Sequence, residues 1–151
     1  MSIEWRPQMS VDGGVIDADH RHLIDIINRF DRIAADGLTL DEALEILFAL
    51  KFYAATHFDR EERLQKLSLY PYHDSHAREH AELLAKLDAI VDDLKAAGDR
   101  PLDEVSTETG DLLREWLIHH VLESDLRMKP YVEAMKKEAE AMGALADVEL
   151  Q

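Results

Sequence analysis

The chain has 151 residues, with 17 Lys and Arg against 32 Asp and Glu, a formal net charge of −15 at pH 7 with its eight histidines counted neutral. At 46% hydrophobic and 32% charged it reads as one globular domain with a single core, which excludes a disordered or fibrous chain. It holds no cysteine, which excludes disulfides, thiolate metal sites, iron–sulfur clusters and cysteine nucleophiles, and its acidic balance argues against nucleic acid and for a cationic guest.

Residues 1–11 carry no apolar run, and no stretch approaches the roughly 20 apolar residues of a membrane span. No membrane contact and a cytoplasmic location are therefore expected. Breaks fall at Pro7 to Gly14, Asp36-Gly37, Tyr70-Pro71, Gly98 to Pro101 and Pro130, and helical segments lie between them. The first, about 17–35, places Ile16, His20, Leu23, Ile27, Phe30 and Ala34 three or four residues apart, with Gly37 as its cap. The second opens with Thr39 and Glu42, a capping-box pair, and carries Leu40, Ala43, Leu47, Leu50, Ala54, His57, Glu61 and Leu64 on one stripe. The third, about 72–97, repeats the pattern with His73, His76, His80, Leu83, Leu87, Ile90 and Leu94. The fourth runs from near Ser106 through Leu113, Trp116, Leu117, His120 and Val121 to Asp125 and Met128, where Pro130 is expected to end or kink it.

The tail from 131 to about 146 is rich in Ala, Glu, Lys and Met and predicts a fifth, less buried helix. Met128, Met135 and Met142, seven apart, would dock it on the bundle or on a partner helix. Acidic runs such as 88–95 and 133–140 read as solvated faces. The expected fold is all-α: an up-down-up-down antiparallel four-helix bundle over 1–130 with a C-terminal helical extension over 131–151. The extension is the segment offered to a protein partner or to self-association.

Polar residues on the core stripe of every helix require a shared explanation, because burying one without a partner costs several kcal/mol. A metal supplies it. His57 and Glu61 are four apart on the second helix, as are His76 and His80 on the third, so each pair shares a face and can chelate. His120 and Asp125 are five apart, which in an α-helix turns the second about 140° away and makes a poor chelate unless Asp125 leans across to a second ion. His20 comes from the equivalent depth of the first helix. Five imidazoles and two carboxylates exceed one six-coordinate ion but suit two ions bridged by Glu61 and Asp125, one with three histidines and one with two and an open position. The donor set suits iron without excluding manganese, zinc or copper. His22 and His119 each sit beside a ligand and point about 100° away, towards the surface. His73 lies on the stripe, but the site is complete without it.

The runs Ile16-Asp17-Ala18-Asp19-His20-Arg21-His22-Leu23 and His57-Phe58-Asp59-Arg60-Glu61-Glu62, Tyr70-Pro71 followed by His76 and His80, and Trp116-Leu117-Ile118-His119-His120-Val121 ending in Asp125 closely resemble the hemerythrins, in particular the single-domain bacterial ones. The resemblance covers Trp5 to about Met128. It implies two iron ions joined by an oxo or hydroxo bridge, a non-haem centre that binds O2 reversibly for carriage, storage or delivery. It assigns His76, His80 and His120 to one iron, His20 and His57 to the other with its open position, and Glu61 and Asp125 to both. It maps an apolar O2 pocket to Leu23, Phe58, Trp116, Leu117 and Val121. An enzyme is not expected: di-iron oxidases resemble a carboxylate-rich pattern with Glu-x-x-His motifs, and no histidine here has a glutamate three residues before it. A di-iron peroxidase- or oxidase-like enzyme and a sensor of O2, redox state or nitric oxide are the alternatives.

Overall fold

The computed structural model of the chain describes residues 2–149, apart from the side chains at 121–122 and 144–149. Helix α1 spans Val15–Ala35, α2 Leu40–Leu67, α3 His73–Lys95, α4 Leu102–Ile118 and α5 Lys129–Glu149, with no strand among the described residues. The connections at 36–39, 68–72 and 96–101 are too short for a crossover, so consecutive helices run antiparallel. α1 packs on α2 and α4, α2 on α3, and α3 on α4, which closes the up-down-up-down bundle. None of the described helices is long and apolar enough to cross a membrane.

The punctuation residues act as their chemistry requires. Asp12 caps α1 from outside the helix, its carboxylate accepting from the amides of Gly14, Ile16 and Asp17 at 2.9, 3.0 and 3.1 Å. Gly37 takes φ +96° just past the end of α1, a conformation that side chains resist. Thr39 Oγ1 accepts from the Glu42 amide at 3.2 Å and starts α2, while its hydroxyl donates to Glu42 Oε1 rather than leaving that carboxylate for its own backbone.

The 3-4 stripes become the interior. Leu23, Ile27, Phe30, Leu47, Leu50, Leu87, Leu94 and Leu113 are sealed in one large apolar cluster. A smaller one, built from Val11, Ile16, Tyr70, Met128 and Val132, closes the other end. Leu40, expected on the stripe, is exposed, and Leu64 is only half-buried, packed against the smaller cluster. Between the two clusters each helix exchanges apolar for polar: Leu23 then His20 on α1, Ala54 then His57 and Glu61 on α2, Leu83 then His80 and His76 on α3, and Leu117 then His120 after α4.

The fourth segment differs from expectation at its end. It does not run to Met128 as one α-helix that Pro130 then ends or kinks. α4 ends at Ile118, widens to a π-helical stretch at His119–Ser124, tightens to a 3-10 turn at Asp125–Met128, and continues as α5. Pro130 sits in the first turn of α5, where its missing N–H costs no helical hydrogen bond. The Met heptad stripe of the tail holds only at its start: Met128 is sealed, Met135 half-buried and Met142 72% exposed.

Candidate metal centre

The seven polar residues of the core stripes meet at one level of the bundle. His20, His57, Glu61 and Asp125 are fully enclosed, and His120, His80 and His76 retain 1, 2 and 4% of their exposure. Both carboxylates face two ways. Glu61 turns Oε1 to His76 Nε2 at 2.7 Å and His80 Nε2 at 3.1 Å, and Oε2 to His57 Nε2 at 3.1 Å. Asp125 turns Oδ1 to His76 at 3.2 Å, and Oδ2 to His20 at 2.6 Å, His120 at 2.9 Å and His57 at 3.5 Å. Two overlapping donor sets result, His20, His57, Glu61, His120 and Asp125 in one and His76, His80, His120 and Asp125 in the other, each with its ligand atoms within 4.8 Å of one another. His120 and Asp125 belong to both.

The π-helical stretch explains how His120 and Asp125 come together. Five α-helical residues would have swung Asp125 to another face, but a π turn closes i→i+5 bonds and brings residues five apart towards register. The expected poor chelate is therefore corrected: His120 Nε2 and Asp125 Oδ2 stand 2.9 Å apart.

Charge is strongly organised here. Burial opposes protonation of His20, but its hydrogen bond to Asp125 and the nearby Glu61 carboxylate outweigh it and bring its pKa up to about 9. The same balance, with Asp125 and Glu61 as partners, holds His76 at about 10. His57 is also held well above the ordinary imidazole value by Asp125, Asp19 and Glu61 against its burial. Glu61 moves the other way: burial and the Asp125 charge push it up, and the imidazoles of His20, His57 and His76 hold it well below the usual carboxylate range. Burial likewise opposes ionisation of Asp125, and the charge and hydrogen bonds of His120, then those of His20 and His57, hold its carboxyl well down.

The donor set fits a cation. His57 Nε2, His120 Nε2 and Glu61 Oε2 are buried within the cluster, close to one another or to Asp125 but not aligned for a hydrogen bond, a costly arrangement that a coordinated ion relieves. Two donors at right angles, each about 2.1 Å from one ion, stand about 3 Å apart, which is the spacing of most N···O pairs here. Imidazole with carboxylate and no thiolate defines a non-haem centre for a first-row transition metal.

Leu23, Phe58, Trp116 and Leu117 are buried in the large apolar cluster. Phe58 stacks on His80 with ring centres 4.1 Å apart and meets His120 at 4.8 Å. Trp116 Nε1 donates to the Leu83 carbonyl at 3.1 Å, which leaves its apolar face to His120. The Val121 side chain lies outside the described residues. His22 is exposed against the Tyr53 ring, and His119 is exposed beside Glu123. His73 makes its contact with Gln65 Oε1 at 3.3 Å, away from the cluster. Two buried acids escaped the sequence reading. Asp17 ties down the N-terminal strap by accepting from Ser10 Oγ, Val11 N and Gly13 N. Asp19 accepts from His57 Nδ1. Their only signal is an acidic pair one turn and one residue before His20.

Comparison with known proteins agrees with this geometry. The hemerythrin HHE cation binding domain model matches residues 14–132. A bacteriohemerythrin of Stenotrophomonas maltophilia is 25% identical over 130 residues, covering 86% of this chain and 81% of that protein. One from Methylococcus capsulatus is 28% identical over 121 residues, covering 80% and 88%. The hemerythrin of Phascolopsis gouldii is 25% identical over 125 residues, covering 83% and 89%. A crystal structure of wild-type hemerythrin superposes with a TM-score of 0.72 over 86% of this chain and 97% of that one, a likeness of fold at 24% identity.

Proposed function

The chain belongs to the hemerythrin family, and from that premise we propose that its buried cluster holds two iron ions and binds O2 reversibly. The observation that carries the reading is the pair of two-faced carboxylates, Glu61 and Asp125, set among five imidazoles at one level of the bundle. On this reading, and by the division the family resemblance implies, His76, His80 and His120 would hold one ion and His20 and His57 the other, which would keep room for one small ligand. A ferrous pair held there would supply the redox chemistry that O2 binding needs, and the residues named would hold it.

The rest is the work of side chains. Leu23, Phe58, Trp116 and Leu117, each buried and within one turn of a cluster histidine in the sequence or against one in space, would form the apolar surround that keeps water from displacing a bound ligand. Trp116 gives its only side-chain N–H to a backbone carbonyl, so its ring presents no donor to the ligand. Five neutral imidazoles against two carboxylates lend the ions less negative charge than a carboxylate-rich site would, which favours reversible binding over oxidation of a substrate.

The test is anaerobic reduction of the iron-loaded protein, iron analysis, and absorption spectra before air, after air and after argon purging. About two irons per chain are expected, with a visible charge-transfer band that appears with air and fades under argon. Iron that oxidises at once and stays ferric would overturn O2 carriage while leaving the metal centre standing.

A further inference from the structure

The outward nitrogens of the five imidazoles are not treated alike. His20 Nδ1, His80 Nδ1 and His120 Nδ1 are buried without a hydrogen-bond partner. His57 Nδ1 instead faces Asp19 Oδ2 at 3.1 Å, and Asp19 is itself only 2% exposed. The Asp19 carboxylate is fully engaged. Arg60 grips it with Nε on Oδ2 at 3.0 Å and Nη2 on Oδ1 at 2.8 Å, and the Tyr53 hydroxyl donates to Oδ1 at 2.9 Å. The Arg60 side chain is 38% exposed, so this chain of contacts runs unbroken from solvent to one imidazole of the cluster.

We infer that Asp19 is a positioning residue for His57, and that Arg60 sets the strength of its influence from the protein surface. The inference rests on the metal-centre reading above and adds to it an asymmetry between the two ions. A carboxylate accepting the Nδ1 proton fixes the tautomer with Nε2 free to bind, fixes the ring plane, and makes the imidazole a stronger donor. A stronger donor on the His20–His57 ion holds it more tightly and stabilises its higher oxidation state. The guanidinium works against this, because it is always charged and draws the carboxylate's electron density towards itself. Removing the carboxylate charge and removing the guanidinium charge should therefore move the same property in opposite directions, which a merely structural role for either residue would not do.

The experiment uses the full chain with Asp19→Asn and Arg60→Gln, ferrous iron alone as the probe, and three readouts. These are affinity for the weaker iron by competition with a chromogenic chelator, the midpoint potential of the loaded protein, and the melting temperature of the iron-free protein as a control for folding. Asp19→Asn is expected to weaken the weaker iron by about 10- to 100-fold and to move the potential positive. Arg60→Gln is expected to keep both irons and to move the potential negative. Should Asp19→Asn fail to fold, the direction of the Arg60→Gln shift decides alone. Shifts of both variants in one direction, or an Asp19→Asn protein that matches the parent in affinity and potential, overturn the inference while the parent still loads two irons. A parent chain that takes up no iron overturns the metal-centre reading and this inference with it.

Discussion

Glu61 is the residue on which the cluster turns, since it has an imidazole within 3.1 Å of each oxygen and belongs to the helix that also supplies His57. Glu61→Ala is expected to reduce iron from about two per chain to about one or fewer, read by metal analysis after anaerobic loading, because both ions lose an oxygen at once. His57→Ala removes one donor from one side and should weaken a single ion. The same residues set the response of the iron-free protein to alkali. His20 and His76 have pKa values of about 9 and about 10 in the folded chain against 6.5 for a free imidazole, so their protonated forms stabilise the fold fully below 6.5. That contribution is lost as pH rises through about 9 to 10. The melting temperature of iron-free protein should fall across this window, and that of the loaded protein should not, because an ion occupies the nitrogens that the protons would leave. Identical alkaline profiles with and without iron would contradict this.

At the scale of elements, the stretch after α4 does the most. A π-helical segment carries His120 and Asp125 into one donor set, and the 3-10 turn behind it redirects the chain into α5. Among the described side chains, α5 contributes to the bundle through its beginning. Val132 is sealed in the smaller apolar cluster beside Met128 and Tyr70, whereas the side chains at 136–143 are exposed. Val132→Ala is therefore expected to cost about 2 kcal/mol, two methylenes' worth of transfer plus a small cavity, in chemical denaturation. Met142→Ser should change stability by less than about 0.5 kcal/mol. A large loss from Met142→Ser in the monomer would mean that the outer part of α5 is packed in solution. The heptad spacing of the methionines did not foretell this division, since periodicity states which residues share a face and not how far along the helix a neighbour extends.

At the scale of the molecule, a net charge of −15 surrounds a core that gathers two carboxylates. Self-repulsion of the folded chain should weaken as salt shortens the Debye length from about 30 Å at 0.01 M to about 8 Å at 0.15 M. The melting temperature of the loaded protein is accordingly expected to rise over that range, and a flat or falling profile would show that the acidic faces are already neutralised locally by the lysines and arginines. The same field concentrates cations near the bundle and disfavours polyanions, in keeping with a domain whose guest is a metal ion.

The sequence by itself determined the first three helices, the antiparallel order and six of the seven inward donors, because a 3-4 stripe is a local property: a residue's face follows from its spacing to its neighbours on the same helix. It also made Gly37 a helix terminus and Thr39 a helix start through backbone chemistry alone. What only the tertiary structure decided depends on other elements. Asp19 became a partner of His57 because α2 lies beside that face of α1. His120 and Asp125 became neighbours because the chain widened into a π turn, which α-helical spacing does not encode. Pro130 opened a helix rather than ending one because the turn had already been made before it. Which oxygen of Glu61 faces which histidine was likewise settled by the packing of four helices around one level, where burial left the donors no solvent and hence no partners but each other.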